Sequence, residues 1–213
     1  HPELLDDLAS RFVSNGWSIK WLHREILNSA TWQQVTPSEK SREKDPANQF
    51  YSGMNPRRLD VEAWRDSLLQ VSGKLDLKPG GAPLDLKSDS NLRRTIYGKI
   101  ERRDLDNMLR LHDFPDPTAH SPKRPETTTP LQLLFSLNGP FFEKQAEALA
   151  ARTAEGSADS AARIERTFRI LFQRPPTESE RRMSLDLVSG NGASDWKLFS
   201  HALLASNEFL FVD

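Results

Sequence analysis

Apolar side chains recur along this chain at three- and four-residue spacing, each run opened by a capping residue and closed by Gly, Asn or Pro. That periodicity restricts the chain to packed helices. From Pro2 to Phe12, Leu5, Leu8 and Phe12 share one helical face, and Asn15-Gly16 supplies a left-handed stop. Ser18 then caps a stripe of Ile19, Leu22, Ile26 and Ala30, so the first two helices predict a hairpin. Pro37 to Lys44 reads as an exposed polar connector, and Asp45-Pro46 as the cap and start of a short helix toward Tyr51. Val61, Trp64, Leu68 and Val71 recur before Gly73 and predict the best helix of the first half.

The periodicity lapses in the middle. Pro79-Gly80-Gly81 and the stretch from Ser88 to Asn91 are turn chemistry, and Thr95 to Ile100 has strand composition, so a two-stranded ribbon is expected there. Asp104 is expected to cap a short helix carrying Leu105, Met108 and Leu109. From Phe114-Pro115-Asp116-Pro117 to Pro125 the prolines enforce extended backbone and predict a long ordered loop.

Helical signals then return. Thr129-Pro130 is a cap and first turn, with Leu131, Leu134 and Phe135 as the apolar face and Gly139-Pro140 as a stop and restart. Phe142, Ala146, Leu149 and Thr153 form the next stripe, then Ala161, Ile164, Phe168 and Leu171 before Pro175-Pro176. Thr177 and Glu180 make a capping box for a helix with Met183 and Leu187; Ser194 is expected to cap the last, with Trp196, Phe199 and Leu203 inward. Residues 207–213 form an apolar tail expected to dock. The fold expected is mainly α, an irregular multi-helix bundle with a short β-ribbon and a long Pro-rich loop in the middle. It is read as a single domain over 1–213, with N-terminal helices in 1–73, an irregular middle in 74–128 and C-terminal helices in 129–213. His1-Pro2-Glu3-Leu4 already reads as a first helical turn, which predicts a domain excised from a longer chain.

Composition narrows function more than it defines it. At 213 residues the chain can bury a core without staples, and 29 Lys+Arg against 30 Asp+Glu give a net charge of -1, with no global field to draw nucleic acid. The absence of Cys removes thiol nucleophiles, thiolate metal sites and covalent haem attachment. No apolar run reaches the length of a membrane span. The five histidines have no metal-ligand spacing, so no metal and no cofactor is expected in this chain. His23 is read as a half-buried, hydrogen-bonded residue. Asp6-Asp7, Glu178/Glu180 and Asp113/Asp116 do not define the fixed gap of a hydrolytic pair, and no catalytic residue is assigned. Trp64 and Trp196 read as core; Trp17 and Trp21 are the candidates for an exposed stacking platform.

Two constellations carry binding chemistry. Arg57, Arg58, Glu62, Arg65 and Asp66 surround the Trp64 helix, where guanidinium forks can hold a planar oxyanion or serve a solvated ion-pair face. Arg102, Arg103, Asp104, Asp116 and Arg124 extend this set if the fold brings them near. The second is the run from Lys123 to Gln132, in which Thr127, Thr128 and Thr129 precede a helix start with Arg124 nearby. It makes an anion pocket at free backbone N–H groups, or a simple N-cap at Thr129. The candidate ligand-binding residues are therefore Arg57, Arg58, Arg65, Asp116, Arg124, Thr128, Thr129 and Gln132.

Several motifs taken together carry a resemblance. These are Gly16-Trp17-Ser18-Ile19-Lys20, Ser29-Ala30-Thr31-Trp32, Pro56-Arg57-Arg58-Leu59, Phe114-Pro115-Asp116-Pro117, Thr129-Pro130-Leu131-Gln132, Leu137-Asn138-x-Pro140-Phe141, Arg174-Pro175-Pro176-Thr177 and Ser206-Asn207-Glu208-Phe209. With them the chain resembles, from end to end, the domain of unknown function 1553, the C-terminal planctomycete-type domain of large proteins. The resemblance implies an exported, extracytoplasmic protein, periplasmic or at the cell surface. In such proteins this domain follows another uncharacterised domain, often with a cytochrome c segment further upstream. It implies no reaction. The functional expectation is a noncatalytic interaction or scaffold module whose partner is the missing upstream domain, with other exported proteins or polysaccharide as further partners. The alternative is an anion- or polysaccharide-handling domain with an Arg-rich pocket.

Overall fold

Val61, Trp64, Leu68, Leu69 and Val71 are buried on one helix, α4 (Val61–Val71), and the core of the C-terminal unit is built around it. The computed structural model describes residues 1–88, 90–156, 159–190 and 192–212. The described chain divides into two units, residues 1–57 and 58–212. Eleven α-helices and one two-stranded antiparallel sheet are formed among the described residues, so the fold is mainly α. No described helix is long and apolar enough to cross a membrane.

The first unit holds α1 (Pro2–Ser14), α2 (Ile19–Leu27) and α3 (Glu39–Lys44). Ser18 caps α2 by accepting from Trp21 N–H, and Gly16 and Trp17 turn the chain through left-handed backbone. Phe12 packs edge-on against Trp17, and Arg11 pairs with Glu25 across the hairpin. Neither helix buries a residue, and His23 is exposed rather than half-buried. The stretch read as an exposed polar connector contains α3, a polar helix that Ser38 caps without any apolar stripe to announce it. The short helix expected after Asp45-Pro46 does not form. The Asp45 carboxylate accepts from Gln49 N–H and Phe50 N–H at 2.8 Å each. Asn48 and Tyr51 are left-handed, at φ 50° and 51°, which interrupts helical backbone.

In the second unit β1 (Arg57–Arg58), which begins at the unit boundary, leads to Leu59, whose N–H donates to Leu210 O at 2.9 Å. That pairing sets β1 beside β2 (Phe211–Val212), so the ribbon lies here and not at Thr95 to Ile100. Thr95–Tyr97 is instead a 3-10 turn. Asp66 on α4 accepts from the Thr95 N–H and hydroxyl at 2.7 and 2.6 Å, fixing the start of that turn and leaving only isolated bridges around it. At its other end α4 stops in a Schellman arrangement, Lys74 N–H to Leu69 O and Gly73 N–H to Gln70 O, with Gly73 at φ 75°. Arg152 closes the same end by donating to Gln70 O and Val71 O.

Asp106, and not Asp104, caps α5 (Asn107–Leu111), accepting from Met108 N–H and Leu109 N–H, while Asp104 pairs with Lys87 on the surface. Then follow α6 (Pro130–Asn138), α7 (Pro140–Ala154), α8 (Ser160–Phe172), α9 (Glu178–Leu187), α10 (Ala193–Leu204) and α11 (Asn207–Leu210). One core cluster joins α4, α5 and α7 through Trp64, Leu68, Leu109, Phe142 and Leu149, with Leu204 and Phe209 from the C-terminal segments. A second joins Ala150, Ile164, Phe168, Val188, Trp196 and Phe199. Helix α7 contributes to both. Each fully buried Leu or Phe here stabilises the fold by about 1.5–3 kcal/mol relative to exposure. The Thr177/Glu180 capping box forms, and Arg174 grips Glu180 and Glu208 together, which holds the Glu180 carboxyl down at about 2. The α10 start lies at Gly192, whose N–H donates to Asp195, rather than at Ser194.

Helix α6 departs from its sequence pattern. Its buried residues are Gln132 and Ser136, while Leu131, Leu133, Leu134 and Leu137 are 61, 54, 51 and 47% exposed; only Phe135 reaches the core. The helix is rotated by its polar contacts: Gln132 is drawn inward by Leu111 O, and Ser136 O accepts from His201 Nε2 at 2.7 Å.

Candidate functional site

The Pro-Arg-Arg segment and the Thr-Pro-Leu-Gln helix start meet in space, although more than 70 residues separate them. Strand β1 projects the Arg58 guanidinium, and α6 projects Gln132 from its first turn. Arg58 donates to Gln132 Oε1 at 3.1 Å, to Thr127 O, and to Asp113 Oδ2 at 2.5 Å. Both partners of this ion pair are largely covered, at 11 and 13% side-chain exposure. Asp113, itself at φ 62°, also accepts from the Thr127 N–H and hydroxyl at 2.9 and 2.8 Å. Burial opposes ionisation of Asp113, but the two Thr127 donors and Arg58 outweigh it and hold its carboxyl below the usual range.

Thr129 completes the arrangement as the N-cap of α6. Its hydroxyl accepts from Gln132 N–H while Gln132 Oε1 accepts from Thr129 N–H, a reciprocal capping box. Gln132 Nε2 donates to Leu111 O at 2.8 Å. One glutamine thus ties together the helix start, the end of α5 and Arg58.

Arg124 makes a second clip. Its two terminal nitrogens donate to the two carboxylate oxygens of Glu62 at 2.7 Å each, and its guanidinium lies over the Phe114 ring. Desolvation pushes the Glu62 carboxyl up, yet the Arg124 bonds leave it lowered overall. The Pro-rich loop is therefore pinned to α4 by one arginine and to β1 by another.

The remaining candidates lie apart from this cluster. Arg65 is 1% exposed and faces a different set of partners, Arg93 O, Thr95 Oγ1 and Asn91 O. Asp116 is exposed and accepts from the Thr118 N–H and hydroxyl, which makes it the head of a local turn. Thr128 and Arg57 are exposed. The structure therefore gathers Arg58, Thr129 and Gln132, places Arg124 in its own clip, and separates Arg57, Arg65, Asp116 and Thr128.

The sequence placed Thr127 in the run before α6 without listing it as a binding residue, considered Asp113 only as half of a rejected carboxylate pair, and gave no place to His112. That ring is 6% exposed, packed against Trp64 and Phe135 with centroids at 4.6 and 5.3 Å. Its Nδ1–H donates to Met108 O at 2.9 Å, and its buried Nε2 has no hydrogen-bond partner among the described residues. Desolvation lowers its pKa, and the nearby Arg58 charge adds to that, against the Met108 bond and Asp113. The available signal was the position of His112 one residue after Leu111 and three after Leu109, at the end of an apolar stripe.

Chemically this is an arrangement of satisfied donors. The guanidiniums of Arg58 and Arg124 point at carboxylates and a carbonyl of the chain itself. No group of three or more His, Cys, Asp or Glu side chains among the described residues is placed to hold a metal ion. Comparison with known proteins adds a family. The model of a family described as protein of unknown function (DUF1553) matches residues 1–188. No curated protein and no solved structure matches the chain. With most of its length under that match, the chain belongs to the DUF1553 family.

Proposed function

We propose that this domain is a noncatalytic interaction module of an exported, planctomycete-type multidomain protein, and that it docks onto the region preceding it in the same polypeptide. The observation that carries this reading is α6, which buries its glutamine and serine and presents four leucines outward. An amphipathic helix gains its stability by covering its apolar stripe, and a ridge of exposed leucines marks a surface that a partner covers. Helices α1 and α2 support the same reading. They bury no residue, leave Leu5 and Ile19 exposed with Trp17 exposed in the turn between them, and at 13 and 9 residues are marginal without tertiary contacts. The satisfied state of Arg58 and Arg124 favours a scaffold over an Arg-rich ligand pocket.

The test is a calorimetric titration of this domain with the separately purified upstream region. Binding is expected for the unmodified chain and is expected to be lost in Leu131→Glu and Leu134→Glu variants whose unfolding midpoints are unchanged. If the upstream region does not bind, or binds these variants equally well, the proposal fails.

A further inference from the structure

Helix α8 turns Ile164 and Phe168 into the core, which leaves its opposite side to Ala162, Glu165, Arg166, Arg169 and Ile170 at three- and four-residue spacing. In the folded chain that side forms one wall of a cleft of about 540 Å³. The end of α4, at Gln70 and Val71, and Arg152 of α7 form the rest. None of the binding candidates read from the sequence lines it.

Three guanidiniums line this cleft against one carboxylate. Glu165 Oε1 accepts from Nε and Nη2 of Arg169 at 3.0 and 2.8 Å, a pair one turn apart on the same helix, and Arg169 Nη1 is left over. Arg152 bonds through Nη1 alone, to Gln70 O and Val71 O at 2.9 and 2.7 Å. Arg166 also bonds through Nη1 alone, to Glu155 O. A carbonyl satisfies a donor without neutralising the charge behind it. Among the described residues neither Arg152 nor Arg166 has a carboxylate partner, and each keeps Nε and Nη2 without a protein acceptor. Elsewhere the fold treats arginine differently: Arg58, Arg124 and Arg174 each take a carboxylate from a distant segment. The cleft thus carries an excess of two positive charges, and like charges around one space repel until an anion enters it.

We infer that this cleft binds a phosphate monoester, its phosphoryl oxygens shared among Arg152, Arg166 and Arg169 and its organic body against Val71 and Ile170. A carboxylate presents two oxygens and is filled by a single guanidinium fork, whereas forks from two helices suit an anion with three terminal oxygens. A monoester also brings close to two negative charges at neutral pH, which matches the excess in the cleft. The volume falls in the range of small-molecule sites, about 300–1,000 Å³, and leaves room for more than a bare phosphate. The Arg169–Glu165 pair is half exposed, so it is weak and Arg169 can turn its fork to a ligand at little cost.

Phenyl phosphate is the probe, with inorganic phosphate to test the organic body and benzoate to test the third oxygen. Each is titrated at about pH 7 into the 213-residue chain while the arginine Nε–H resonances are followed by NMR. Phenyl phosphate is expected to shift Arg152, Arg166 and Arg169 and to bind about tenfold more tightly than benzoate or inorganic phosphate. Arg166→Gln should weaken phenyl phosphate about tenfold. Glu165→Gln removes the opposing charge and releases Arg169, so it should tighten binding about threefold, an effect that a purely structural role for these side chains does not give. Arg103→Gln, at an exposed arginine outside the cleft, should change nothing. If Arg166→Gln does not fold, Glu165→Gln decides alone, since losing a half-exposed ion pair costs little stability. No shift at these three resonances at millimolar phenyl phosphate would overturn the inference. So would benzoate or inorganic phosphate binding as tightly, Glu165→Gln failing to tighten, or Arg103→Gln weakening binding as much as Arg166→Gln.

Discussion

Replacing Arg58 with alanine separates a structural clip from a surface ion pair. Arg58 and Asp113 are 11 and 13% exposed at their side chains, and Arg58 also holds Thr127 O and Gln132 Oε1. Breaking a covered pair by removing one partner destabilises by about 3–5 kcal/mol, because the other charge is left without compensation. Asp113 keeps its two Thr127 donors, so the low end, about 3 kcal/mol, is the expected loss. Against a typical domain stability of about 5–15 kcal/mol this is a large fraction. Urea unfolding followed by far-UV circular dichroism measures it, and hydrogen exchange should show earlier opening of residues 113–129. An Asp113→Asn partner variant completes the cycle; the double substitution should be less harmful than the summed singles by at least about 1 kcal/mol. An Arg58→Ala loss below about 1 kcal/mol with no coupling to Asp113 would place the pair among exposed salt bridges and refute the reasoning.

Stability should also fall in mild acid because of His112. Its folded pKa is lowered below 6.5, so its contribution is complete above about pH 6.5 and is lost as the pH drops through the folded value, at up to about 1.4 kcal/mol per pH unit. His112→Phe should flatten the melting temperature between pH 6.5 and 5, and an unchanged slope in that variant would discard the assignment. Gly73→Ala puts a side chain at φ 75° and its Cβ 3.3 Å from Arg152 Cδ, for an expected loss of about 1–2 kcal/mol in chemical denaturation. Leu68→Ala, at a site with no exposure, should destabilise by about 2–5 kcal/mol, whereas Leu5→Ala, 69% exposed, should stay within about 0.5 kcal/mol. Comparable losses at the two sites would contradict the burial described above.

Local chemistry made the helices legible. The side-chain oxygens of Ser18, Thr129 and Thr177 each accept from a backbone N–H three residues on, so the caps depend on neighbours that the sequence itself supplies. The stripe from Val61 to Val71 and the left-handed Gly73 follow the same logic. Where the partner is distant, the sequence was silent or misleading. Thr95 to Ile100 has strand composition, yet Asp66 of α4 bends its start into a 3-10 turn, while the ribbon forms between segments about 150 residues apart in the chain.

The candidate site divides along the same line. The sequence alone determined that Thr129 would cap a helix, and that Arg58 and Arg124 were available forks; that Gln132 completes the cap came only with the structure. Tertiary structure decided what those forks hold, because a guanidinium takes whichever carboxylate the fold delivers: Asp113 from the end of α5 and Glu62 from α4. It also decided the orientation of α6. Its leucines predict an inward apolar face, but the amide of Gln132 finds Leu111 O and Arg58 only if the helix turns, and a buried amide must be bonded. That contact leaves the leucines on the surface. Hydrophobic periodicity is written in the chain, whereas the direction a periodic face points is settled by polar partners that only the folded molecule brings within reach.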